Sequence, residues 1–219
     1  MACWSAENAT KAYLQTIKLG MNAKEPNVGE FISAFAAGNN AQLMVIACAT
    51  TAGCTTVGLN AAAYRTGGRV ICIVRGSSEL TSSIDALGCN ASRVEFVIGE
   101  AQTLLSTKYT NADLVVIDCN IENYEGIFKA AEVLTTRGDH AINNKIVLGY
   151  NALFCNDLLR WDGSKTQYLP IGEGLLIRRI GAKSEEKRKR SHWIVRVDEC
   201  TGEEHVFRIR SHHRRVIKA

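Results

Sequence analysis

From residue 43 onward, short uninterrupted apolar runs alternate with segments whose apolar positions recur every three or four residues. Leu43 to Ala49, Arg69 to Val74, Arg93 to Ile98, Leu114 to Asp118 and Lys145 to Gly149 read as strands. The first shows no polar alternation, as expected of a strand covered on both faces. Thr55 to Tyr64, Ser77 to Leu87, Ala101 to Thr107 and Tyr124 to Thr136 read as the intervening helices, Gly88 closing the second. Two helices are predicted ahead of this series: Ser5 to Gly20, with Ser5 as N-cap, and Asn27 to Ala37, which starts after Pro26. In the latter, Val28, Phe31, Ile32 and Phe35 form one apolar stripe. Such alternation predicts an α/β fold with a doubly wound, mostly parallel, Rossmann-like sheet, and ligands beyond the carboxyl ends of its strands. Thr166 to Leu169 and Gly174 to Arg179, around Pro170-Ile171-Gly172-Glu173, predict an antiparallel hairpin at the sheet edge. A further hairpin is expected from His192 to Val197 and His205 to Arg210, which alternate around a Thr201-Gly202 turn. The domain reading is one α/β body over 1–181 and a basic linker with a C-terminal hairpin over 182–219.

Composition sharpens this picture in three places. With 219 residues, 46% of them hydrophobic, the chain can bury one good core. No stretch approaches the roughly 20 apolar residues that span a bilayer, and the N-terminus lacks a secretory pattern, so an intracellular place, cytoplasmic or nuclear, is expected. Eight cysteines include no Cys-x-x-Cys pair, and Cys200, His205, His212 and His213 match no common zinc spacing. The net charge of +4 is uneven: from Ala182 to Ala219 eleven Lys and Arg face six Asp and Glu, a tail of +5 on a body near −1. Lys187, Arg188, Lys189, Arg190, Arg196, Arg208, Arg210, Arg214 and Arg215 are therefore candidates for phosphate contacts, with Trp193 and Phe207 for base stacking. Interspersed Asp198, Glu199, Glu203 and Glu204 favour the plainer reading of a solubilising face. The basic cluster at 187–190 is also a nuclear-import candidate.

Across Pro26 to Ile180 the order of short motifs resembles the class I, S-adenosylmethionine-dependent O-methyltransferases of the catechol and caffeoyl-CoA type. The motifs are Pro26-Asn27-Val28-Gly29-Glu30-Phe31, Gly68-Arg69-Val70, Arg93-Val94-Glu95-Phe96-Val97, Gly99-Glu100-Ala101, Ile117-Asp118, Glu122-Asn123-Tyr124 and Leu169-Pro170-Ile171-Gly172-Glu173-Gly174. The opening Met-Ala-Cys-Trp-Ser-Ala-Glu-Asn-Ala together with this body more closely resembles a plant family of unknown function grouped with methyltransferase-like proteins, which implies no settled activity. Dimerisation is implied by the resemblance alone.

Against that resemblance, the cofactor positions of this chain are altered. The register puts Ala47 where relatives carry an acid for the methionyl ammonium, and Ala49, Thr51 and Gly53 at three glycine positions, with Thr55 opening the next helix. An Ala or Thr forced to φ > 0 costs roughly 1 kcal/mol or more, and a lost charged hydrogen bond about 1.5–3 kcal/mol. At the ribose position stands Val74, which accepts no hydrogen bond, followed by Arg75, which would favour a phosphate-bearing ligand. Gly99, Glu100 and Ala101 keep the landmark near the adenine edge. The loop from Thr50 to Thr56 keeps hydroxyls at a helix N-terminus, a generic anion site.

The catalytic positions implied by the resemblance depart further. Its divalent-metal acid corresponds to Asp118, but its Asp-Asn pair reads Tyr150-Asn151, so only remnants of a metal site, Asp118 and Asn151, are left. Its general-base lysine corresponds to Ile121. The plainer reading makes Asp118 a strand-end acid capping a loop. Neither Gly-x-Ser-x-Gly nor His-Glu-x-x-His occurs, and His140 is a lone histidine. The expectation is a methyltransferase-fold pseudoenzyme acting as a scaffold for an unknown protein partner, with a crowded, depolarised crevice and no cofactor. The alternatives are a divergent methyltransferase that binds S-adenosylmethionine or another adenosine-like ligand, and a basic nucleic-acid-associated module.

Overall fold

The computed structural model describes residues 4–19, 28–133, 145–153, 166–180, 191–197 and 204–210. They fall into two compact units, 1–182 and 183–219. The larger unit opens with two helices, α1 (Ala6–Leu19) and α2 (Val28–Gly38). The series β1 (Leu43–Ala47), α3 (Cys54–Thr66), β2 (Arg69–Val74), α4 (Ser77–Leu87), β3 (Val94–Ile98), α5 (Ala101–Thr107), β4 (Leu114–Asp118), α6 (Tyr124–Val133) and β5 (Lys145–Tyr150) follows. The antiparallel pair β6 (Thr166–Leu169) and β7 (Leu175–Ile180) completes the unit.

The seven strands form one sheet in the order β3-β2-β1-β4-β5-β7-β6. β1 to β5 run parallel, and β7 turns antiparallel against β5. Chain order reverses between β1 and β4, so the loops after these two strands diverge and leave a crevice there. All five residues of β1 and of β4 are buried, as the unbroken apolar runs require. On one face Met44, Ile46, Val70, Val116 and Leu148 pack with Ile32 of α2 and Leu59 of α3. On the other, Val45, Ile71, Val115 and Ile117 pack with Leu105 of α5 and Ile127 and Phe128 of α6.

Two glycines set how closely α2 and α3 cross. A Cβ on Gly29 would lie 2.8 Å from the Cys54 carbonyl oxygen, and a Cβ on Gly58 would strike the carbonyl oxygen of Gly29. Backbone thus meets backbone where the two helices cross. At the opposite end of the sheet, Asp113 Oδ2 accepts the Gln42 and Leu43 amides, both at 2.9 Å. Lys145 opens β5 nearby, is buried, and finds no hydrogen-bond acceptor for Nζ among the described residues.

Several boundaries differ from the sequence reading. β1 stops at Ala47, because Cys48 and Ala49 already turn toward α3, and Arg93 closes a 3-10 turn (Gly88–Arg93) instead of starting β3. The end of the helix read to Thr136, Pro26, the Thr201-Gly202 turn and His140 lie outside the described residues. The smaller unit contains β8 (Ser191–Val197) and β9 (Glu204–Arg210), antiparallel with Trp193 opposite Arg208 and Arg196 opposite His205. Among the described residues no helix is long and apolar enough to cross a membrane.

Candidate functional site

The crevice between the diverging loops is a cavity of about 380 Å³. Its apolar lining comes from strand ends and helix starts: Ala47, Ile73, Val74, Ala101, Ile121 and Ile127. Its polar lining comes from the turns after β2, β3 and β4, with Arg75, Glu100, Glu122 and Asn123, and from the first turn of α5, with Gln102. Two of these amides hold one another, Asn123 Nδ2 donating to Gln102 Oε1 at 2.7 Å, which ties α6 to α5 across the mouth. Glu100 accepts the Thr103 hydroxyl at 2.8 Å and otherwise faces solvent. Val74 is buried, and its carbonyl accepts the Gly99 amide at 3.0 Å, holding the β2 and β3 ends together.

Of the residues singled out in the sequence, Val74, Arg75, Gly99, Glu100 and Ala101 therefore meet in one cavity, whereas Ala49, Thr51, Gly53, Thr55 and Asp118 do not line it. Cys48, Gln102, Glu122, Asn123 and Ile127 were missed as site residues. Only the adjacency of Gln102 to Gly99-Glu100-Ala101, and the Glu122-Asn123 landmark, carried a signal for them.

The loop after β1 corrects a second expectation. None of residues 49–53 has positive φ, and Gly53 sits at φ −134° with nothing within 4 Å of the Cβ it lacks. Ala49 and Thr51 thus adopt backbone angles that any L-residue accepts, and the strain expected of them is not present. The loop is held otherwise: the Ala52 amide donates to Ser83 Oγ at 2.9 Å, and that hydroxyl donates to the Glu79 carbonyl at 2.6 Å. The crevice is depolarised along its floor but not crowded.

Asp118, at the end of β4, is buried, and each of its carboxylate oxygens accepts an N–H group. Oδ1 accepts Asn151 Nδ2 at 2.9 Å and the Asn120 amide at 3.1 Å, while Oδ2 accepts the Ala49 amide at 3.3 Å. One carboxylate thus joins the loops after β1, β4 and β5. Asn151, at φ 57°, turns its donor toward the acid. A divalent cation needs several free oxygens, and here both carboxylate oxygens already accept N–H groups while the partner amide offers nitrogen. These residues do not fit a metal ion.

Beside Asp118 lies a second buried group. Cys48 Sγ and Cys72 Sγ are 3.6 Å apart, a thiol–thiol hydrogen bond and too far for a disulfide, and Cys48 forms part of the cavity wall. The Cys48 contact and burial push the Cys72 thiol up, so it stays protonated. Burial, with Cys48 and Asp118 as polar neighbours, likewise pushes the Tyr150 phenol up. Where the resemblance implies a metal-binding acid, the chain thus holds a neutral hydroxyl. Ile121, buried in the cavity wall, carries no titratable group.

Among the tail candidates, Trp193 and Arg196 lie on β8, and Arg208 and Arg210 on β9. Lys187, Arg188, Lys189, Arg190, Arg214 and Arg215 lie outside the described residues.

Known structures share this architecture. A methyltransferase from Geobacter sulfurreducens superposes with TM-score 0.55 at 18% identity, over 80% of this chain and 90% of its own. The O-methyltransferase TomG from Streptomyces achromogenes, solved with SAM, gives 0.53 at 17%, over 82% and 92%. An O-methyltransferase from Bacillus cereus, solved with SAH, gives 0.51 at 15%, over 80% and 91%. At such identities the likeness shows the fold, a Rossmann-like methyltransferase architecture. Comparison with curated proteins gives no match. A family model described as a protein of unknown function, DUF1442, matches residues 1–209, and this methyltransferase-like chain belongs to that family.

Proposed function

We propose that this chain is a methyltransferase-fold binding protein that takes an adenosine-type ligand in the crevice and performs no metal-assisted methyl transfer. The observation that carries the reading is the pairing of an open cavity of about 380 Å³ with a neighbouring acid, Asp118, whose two oxygens are already bonded. The apolar wall of Val74, Ala101 and Ile127 suits a planar base, and Glu100, Gln102 and Asn123 supply acceptors and donors for its edge. SAM or SAH occupies some relatives of the same fold, which supports the ligand class. The expectation of no cofactor is therefore not carried forward. Loss of transfer is argued from chemistry: Tyr150 and Ile121 cannot replace a metal carboxylate and a base lysine.

A divergent, metal-independent methyltransferase is the second reading, favoured by the crevice remaining open. Calorimetric titration with SAM, SAH and adenosine, paired with a radiolabelled methyl-transfer assay over catechol and carboxylate acceptors with and without magnesium, tests both. Saturable binding without transfer is the expected result. No binding by any of the three at millimolar ligand ends the ligand reading, and magnesium-stimulated transfer ends the non-catalytic one.

A further inference from the structure

The end of β2 is where this crevice differs most in chemistry. In doubly wound nucleotide-binding folds, the residue roughly 20 positions beyond the glycine loop decides how the ribose is held. An acid there accepts the free ribose hydroxyls, whereas an arginine takes a ribose bearing a phosphate. Val74 occupies that strand end, buried and without a side-chain acceptor, and Arg75 follows it on the cavity lining. A free ribose diol against Val74 would find no side-chain acceptor at that strand end. The Arg75 guanidinium, in contrast, is exposed, with no ion pair among the described residues.

Its surroundings point the same way. Gly76-Ser77-Ser78 follow at the start of α4, where Gly76 makes no side-chain cap. The group now near that turn is an anion of the protein itself. Glu79 accepts the Ser78 hydroxyl at 2.9 Å, and its carboxyl is held below the usual range by its own backbone N–H, by Ser78 and by Arg75. Arg75 thus lines the cavity as a cation near enough to the start of α4 to attract an anion there.

We infer that the crevice selects an adenosine ligand phosphorylated on its ribose, at the 2′ or 3′ hydroxyl, and that Arg75 is the residue that selects it. The inference rests on the adenosine reading of the crevice. The phosphate sits against the guanidinium, where two parallel N–H···O bonds replace the ribose–carboxylate bonds of acid-bearing folds.

Titration of the full chain with adenosine, SAH, 5′-AMP, 2′-AMP and 3′-AMP tests it. The better of 2′-AMP and 3′-AMP is expected to bind about tenfold to a hundredfold tighter than adenosine or 5′-AMP. The two arms show which hydroxyl carries the phosphate, and the preference falls as salt rises. Arg75→Gln is expected to erase the preference, Val74→Asp to reverse it, and Glu79→Gln to raise affinity for the phosphorylated ligand. Circular dichroism of each variant confirms that it is folded. Equal affinity for adenosine and the ribose-phosphorylated ligands, or a preference that survives Arg75→Gln, overturns the inference and leaves the adenosine reading standing. If adenosine, SAH and all three phosphates fail to bind, the adenosine reading falls and takes this inference with it.

Discussion

Asp118 accepts N–H groups from three loops, so removing its carboxylate leaves the Ala49 and Asn120 amides and the Asn151 side chain without their acceptor. Asp118→Ala is expected to lower unfolding free energy by about 2–4 kcal/mol in urea titration. A cost under half of that would mean water replaces the acid readily. Lys145 gives a pH-dependent counterpart at the other end of the sheet. Burial lowers its ammonium to about 8, partly opposed by nearby Asp113. In the unfolded chain a lysine titrates near 10.4 (about its free value), so between about 8 and 10.4 the unfolded state holds the extra proton. Stability from this group therefore increases as pH rises through that window. Lys145→Met should be more stable than the natural chain below pH 8, and its advantage should shrink toward pH 10. A constant difference across that range would show that Lys145 titrates normally.

At the scale of elements, the crossing of α2 on α3 leaves no room for a methyl group. Gly58→Ala should cost about 1–3 kcal/mol, visible as a lower thermal midpoint, because the new Cβ meets a carbonyl rather than a flexible side chain. The strand–helix alternation was legible because each element buries one kind of pattern: Leu43–Ala47 is covered on both faces, and its sequence offers no polar face. Boundaries were less legible where a turn shares the residues of a strand, as at Arg93 and Cys48. The site was half legible. Val74, Arg75, Gly99, Glu100 and Ala101 sit at strand ends, where the fold class alone directs attention. Asn123 and Gln102 were not, because their bond joins residues far apart in the chain and exists only after α5 and α6 pack. The backbone angles of residues 49–53 were also hidden, since a loop that keeps only one of three glycines can take another path.

At the scale of the whole molecule, one sheet face is built on α1, α2 and α3 and the other on α5 and α6, and the crevice opens at the carboxyl ends of β1 to β4. A ligand that binds only the folded chain stabilises it by mass action, about 2.7 kcal/mol at a hundred times its dissociation constant. For a chain of this size that is a rise of roughly 5–11 °C in the thermal midpoint. SAH or a ribose-phosphorylated adenosine should produce such a rise, and Gly58→Ala should lower the starting point without removing the increment. The abutting thiols supply a gauge of occupancy that needs no label. Cys48 lines the crevice, while Cys72 stands behind it with no exposed surface. Maleimide or iodoacetamide reaching Cys48 must pass through the same opening as a nucleoside, so alkylation at Cys48, read by peptide mass spectrometry apart from the exposed Cys54 and Cys89, should slow in proportion to filling and leave Cys72 unreacted until the chain unfolds.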